Sequence, residues 1–144
     1  KISNTYLMLP LDEEIFEINA NTRVITVPPL FKKSGVSVQG DEIAETLMFK
    51  IDRFFDYMDL ASPEIILYVQ WTTSKNEEGA SIIKMIDYET EPGKILFAWP
   101  LTSAITKTPG QVKFSVRFFK TNAAKQVIYS FNTLQQVITI NPAL

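Results

Sequence analysis

The densest run of side chains able to do chemistry is Asp52-Arg53-Phe54-Phe55-Asp56-Tyr57-Met58-Asp59. Three carboxylates in so short a segment suggest oxygen ligands for Ca²⁺, or an acid/base pair for glycoside hydrolysis. An EF-hand loop needs Gly at its sixth position and Glu at its twelfth, and this run supplies neither. A carboxylate enzyme would need two of the three facing each other across a cleft, roughly 5–10 Å apart. The plainer expectation is a strand end followed by a tight connection. Asp52, Asp56 and Asp59 would then accept backbone N–H groups while Arg53 pairs with one of them. All four are read as structural turn residues. No catalytic, cofactor-binding or metal-ligating residue is assigned.

Composition removes other chemistry. The 144 residues include no His and no Cys, with 14 Lys plus Arg against 16 Asp plus Glu. That excludes a disulfide, a thiolate nucleophile, a Cys zinc site and a Ser-His-Asp triad. Gly35, Gly40 and Gly79 do not have phosphate-loop spacing, and the Lys residues near 32, 120 and 125 are dispersed. A net charge of −2 gives no electrostatic reason to expect nucleic acid or an anionic membrane surface as partner. No apolar run approaches the ~20 residues of a spanning helix.

The elements that must carry these residues are strands. Apolar residues recur at every second position in Leu47/Phe49/Ile51, Ile65/Leu67/Val69/Trp71, Ile95/Phe97/Trp99, Val112/Phe114/Val116/Phe118 and Val127/Tyr129/Phe131. Shorter candidates are 15–18, 23–27, 81–88 and 136–140, with Pro and Gly turns between them. One helical turn is expected around 41–45 and another around 101–105, with a long loop from Pro28 to Gly40. Eight or nine strands with one apolar face each predict an all-β fold, an immunoglobulin-like antiparallel sandwich with minimal helix. Its core would contain Trp71, Phe49, Phe97, Phe114 and Val116. The chain reads as one domain over 1–144, with an arm and first strands in 1–30 and the sandwich core in 38–140. Because it starts at Lys1 and stops just after an apolar strand, it is expected to be part of a longer protein.

Some apolar residues stand outside this pattern. Tyr6, Leu7, Met8 and Leu9 precede the first strand, and Phe54, Phe55, Tyr57 and Met58 crowd one connection. They are the candidate contact residues, since large apolar patches on a soluble domain mark partner sites. Exposed aromatics on a sandwich also suit a carbohydrate-binding module, with Trp99 or Tyr57 as the ring that stacks on a sugar.

The string carries a resemblance as well. Gly40-Asp41, Phe49-Lys50-Ile51-Asp52-Arg53-Phe54-Phe55-Asp56, Asp59-Leu60 and Gln70-Trp71 resemble a block in structural proteins of tailed bacteriophages. Pro92-Gly93-Lys94-Ile95, Phe97, Trp99-Pro100-Leu101, Gly110 and 112–118 continue the likeness. The block is similar to the immunoglobulin-like N-terminal domain of phage upper-baseplate and related virion proteins. That family implies a non-enzymatic structural or attachment domain of a baseplate, tail fibre or head surface, without cofactors. It implies other virion proteins and further copies of the chain as partners, and a place in a virion assembled in the host cytoplasm. The alternative partner is a host-surface glycan.

Overall fold

In the computed structural model of the chain, residues 2–3 and 14–143 are described. Tyr6, Leu7, Met8 and Leu9 lie outside the described residues. Two main sheets are packed face to face. The first runs β1 (Ile2–Ser3), β10 (Met85–Asp87), β11 (Lys94–Pro100), β5 (Thr46–Asp52), β2 (Ile15–Ile18), β3 (Ile25–Thr26). The second runs β4 (Ser37–Val38), β14 (Gln136–Asn141), β12 (Gly110–Thr121), β8 (Ile66–Thr72), β9 (Glu78–Ile82). Strand β13 (Val127–Asn132) also pairs with β12, and β6 (Phe54–Phe55) with β7 (Met58–Asp59) forms a small separate hairpin. With β2, β5, β11 and β10 taken as A, B, E and D, and β8, β12 and β14 as C, F and G, this is the immunoglobulin strand order.

The predicted alternation sets the packing. Leu47, Phe49 and Ile51 point inward from β5, and Val112, Phe114, Val116 and Phe118 point inward from β12. Phe49 is the hub between the sheets. Its ring lies 4.8 Å from Phe16, 5.1 Å and parallel to Phe97, and 5.9 Å edge-on to Phe114 across the sandwich. Antibody domains place their inter-sheet disulfide between strands B and F. Here the Phe49–Phe114 contact joins the same two strands. Trp99 closes the cluster 5.1 Å from Phe114 and is fully buried, as are Phe97 and Val116.

Trp71 also faces inward, but it leans over the neighbouring strand. Its Nε1–H donates to Ser81 Oγ at 3.2 Å, and its ring covers Gly79 so closely that a Cβ there would come within 2.2 Å of Cζ2. Gly79→Ala must therefore displace the indole and lose its bond to Ser81. The expected cost is about 1–3 kcal/mol, the range for overpacked cores. Urea unfolding followed by tryptophan fluorescence reads it, and an unchanged midpoint would contradict the close approach.

Several expectations are corrected. The sandwich is not purely antiparallel, since β2–β5, β4–β14 and β1–β10 are parallel pairs. Between β2 and β5 the chain visits the other sheet through β4, and such a crossover is what parallel neighbours require. The run 81–88 is not one strand: it leaves the second sheet after Ile82 and joins the first at Met85. The loop after Pro28 contains a helix, α1 (Pro29–Ser34), with Pro at its first position and Phe31 stacked on Phe16 at 5.7 Å. No helical turn forms at 41–45, whereas α2 (Ser103–Thr106) overlaps the second expected region. The chain after β12 returns, as expected, in two strands, β13 and β14, separated by a segment that includes Thr133. There Thr133 N–H donates to Val116 O, and Val116 N–H donates to Thr133 Oγ1.

Candidate interaction surface

The outward face of the second sheet is divided. In a sheet with one solvated face the outward positions should be polar. They are polar at one end, where Gln70, Thr72, Lys113 and Ser115 line up. At the other end the outward positions are Ile66 and Tyr68 on β8, Arg117 and Phe119 on β12, and Ile82 on β9. The register sets Ile82 beside Tyr68, Tyr68 beside Arg117, and Ile66 beside Phe119, so the residues are contiguous. Ile82 is 65% exposed and Ile66 39%.

The patch is held in shape by polar contacts. Tyr68 meets Phe119 edge-on at 5.6 Å. The Arg117 guanidinium lies 5.2 Å from the Phe119 ring centre and donates from Nη1 to Tyr68 Oη at 2.9 Å. Its Nε donates to Ser130 Oγ at 3.1 Å. Arg117 is therefore ordered before any partner arrives, which lowers the entropy lost on binding. On the rim Lys120 pairs with Glu64 at 2.6 Å, and that hydrogen bond holds the Glu64 carboxyl below its ordinary pKa.

A largely apolar groove of about 300 Å³ adjoins the patch, lined by Pro63, Ile65, Ile66, Leu67, Ile82 and Ile83 together with Lys84. A second depression, about 210 Å³, carries the apolar surface round the sheet edge past Met85 to Ala98 and Pro100.

The residues singled out from sequence behave differently. Arg53 grips Asp59 with two hydrogen bonds, Nε to Oδ1 at 3.0 Å and Nη2 to Oδ2 at 3.1 Å. Asp59 Oδ1 also accepts the Ala61 N–H. The hydrogen bond to Asp59 raises the Arg53 pKa, with burial opposing it. Asp52 pairs instead with Lys94, and Asp56 sits at the hairpin tip. The three carboxylates thus have separate surroundings. Among the described residues no group of three or more acidic side chains is placed to hold a metal ion.

The tip joins β6 to β7 through Asp56 and Tyr57, with φ values of 52° and 63°. Both central residues of a two-residue hairpin loop are left-handed in the turn type that favours Asn-Gly, so Asp-Tyr is a costly choice there. Tyr57 projects fully into solvent and Phe54 is 62% exposed. Phe55 and Met58 are not free contact residues. Both pack on the core, and Phe55 meets Phe131 edge-on at 5.1 Å with the Arg23 guanidinium over both rings. Trp99 is buried and cannot stack on a sugar. Sequence reasoning misses the patch on the second sheet, although apolar doublets mark it. Ile65-Ile66, Ile82-Ile83 and Phe118-Phe119 each put one side chain inward and the other outward.

Comparison with protein-family models and with curated proteins finds no match for this chain.

Proposed function

We propose that this chain is a non-enzymatic assembly domain that works by binding neighbouring protein subunits. The observation that carries the reading is the contiguous outward patch of Ile66, Tyr68, Ile82, Arg117 and Phe119. Tyr and Arg are the residue types that dominate binding energy at interfaces, and here they are pre-ordered on rigid strands. The separate pairing of Asp52 and Asp59 favours structural roles for those carboxylates. The resemblance of the Phe49–Asp56 block supports placing the domain in a tailed-phage virion, on the baseplate, a tail fibre or the head surface.

The test is the double substitution Tyr68→Ser, Phe119→Ser. Both side chains lie outside the inter-sheet core, so the thermal midpoint should fall by only a few degrees. Association with a neighbouring subunit, read by cross-linking in intact particles and by sedimentation of the full chain, should weaken at least tenfold. Association that survives the double substitution unchanged refutes this face as the contact. Binding to a host-surface glycan that is lost with Tyr57→Ala, without any subunit contact, would replace the reading with carbohydrate recognition.

A further inference from the structure

Three of the four strands that end the main sheets have two residues: β1, β3 and β4. Strand β13 also has a side with no strand partner among the described residues, but its register with β12 shifts between Lys120 and Thr121. Strand β9 is the other long edge. It presents five residues, Glu78-Gly79-Ala80-Ser81-Ile82, with no partner on its outer side among the described residues and a regular register on its inner side. Natural edges are blunted by shortness, bulges, Pro or charged side chains; β9 has no Pro and a regular register, and its charges, Glu78 and the following Lys84, stand at its two ends.

The hydrogen bonds show which groups are free. Ile83 N–H donates to Leu67 O at 2.9 Å, and Thr73 N–H donates to Glu77 O at 2.8 Å. Bonded pairs alternate along an antiparallel ladder. So Glu77, Gly79, Ser81 and Ile83 turn their backbone groups toward β8, while Glu78, Ala80 and Ile82 turn theirs outward.

The charges around this edge are self-complementary. Glu78 stands three residues before Ser81, and Lys84 three residues after it. Both are exposed, and neither has an ion-pair partner among the described residues. Antiparallel pairing of β9 with the β9 of a second copy, about a two-fold axis at Ser81, brings Glu78 beside the end of the other copy's strand, where Lys84 follows two residues after Ile82. By symmetry Lys84 lies beside the other copy's Glu78. Ala80 then faces Ile82, and each such pair exchanges backbone N–H and C=O groups.

We propose that β9 is a dimerisation edge through which two copies of this chain join their second sheets into one continuous sheet. The inference rests on the reading of the protein as an assembly domain and names one of its partners and the contact. Pairing in this register also places Ile82 of one copy diagonal to Ile82 of the other. The apolar patches of the two copies then merge into a single surface across the axis, an isologous arrangement.

The experiment is sedimentation equilibrium of the full chain across a wide concentration range at low and high salt. The unsubstituted protein is expected to dimerise, more weakly at high salt. Glu78→Lys or Lys84→Glu alone turns two attractive pairs into two repulsive ones, and each should raise the dimer dissociation constant at least tenfold. The double exchange Glu78→Lys, Lys84→Glu should restore it. Ala80→Pro removes an outward N–H that the monomer's ladder does not use, so it should abolish dimerisation while circular dichroism remains that of the folded chain.

Failure to dimerise at any concentration would overturn the proposal, as would a dimer indifferent to these variants. If such a dimer is instead lost with Tyr68→Ser, Phe119→Ser, the edge proposal falls and the assembly reading stands. If subunit contacts in intact particles survive both sets of variants, the assembly reading through this face falls as well.

Discussion

Replacing Phe49 with alanine is expected to cost about 3–5 kcal/mol of folding stability, the range for truncating a buried aromatic. Three features put it at the upper end. The side chain is fully buried, so the whole ring volume becomes cavity. It touches aromatic rings from β2, β11 and β12, with the parallel stack on Phe97 and the edge contact on Phe114 contributing beyond area burial. It also supplies an inter-sheet contact in a chain that has no Cys to bridge the sheets covalently. Domains of this size have a net stability of about 5–15 kcal/mol, so the loss is a large fraction of the total. The thermal midpoint should fall by roughly 10 °C or more. Phe49→Leu keeps much of the volume and should lose markedly less. Urea unfolding of the two variants separates them. Equal, small losses would mean that the sheets are held elsewhere.

The inward position of Phe49 is legible in the alternation of its own strand, and so are those of Phe97, Phe114 and Val116. Period-2 alternation says which side chains share a face, and a chain of this length must bury those faces. What alternation cannot supply is the identity of the neighbour. Trp71 is expected between the sheets and does face inward, yet its contact with Gly79 and Ser81 depends on a pairing formed across a hairpin. The run 81–88 looks like one strand because the step from one sheet to the other at Ile83-Lys84 needs no Pro or Gly. The interaction surface is hidden for the same reason. Ile66, Ile82 and Phe119 are ordinary residues in their own strands, and only the register of β8, β9 and β12 brings them together. The aromatic crowd at Phe54–Met58 misleads in the opposite direction. It is dense in sequence, but the hairpin folds back and commits Phe55 and Met58 to the core.

Asp87 is expected to make the largest polar contribution to stability, and its removal to carry a pH signature. It is 2% exposed at the end of β10 and organises the turn into β11. Oδ1 accepts the N–H groups of Glu89 at 2.9 Å and Thr90 at 3.0 Å, while the Thr90 hydroxyl donates to Oδ2. Burial alone pushes this carboxyl's pKa up, but the bonds from Thr90 and Glu89 together outweigh it and hold the group below its ordinary value. Asp87→Ala strands these donors, and at neutral pH the loss should be about 2–4 kcal/mol. Asp87→Asn keeps an acceptor and should lose less.

The sign of the pH effect follows from the lowered pKa. The ionised carboxylate stabilises the fold above the unfolded value of roughly 3.9, and that contribution disappears as pH falls through the folded value. Wild type should therefore lose its advantage over Asp87→Asn between about pH 5 and the acid limit. Urea midpoints measured for all three proteins from about pH 7 down to about pH 3 make the comparison. Parallel curves would show that ionisation of Asp87 contributes nothing. Convergence of wild type with Asp87→Asn, with Asp87→Ala still below both, would separate the charge from the hydrogen bonds that an uncharged acceptor can keep.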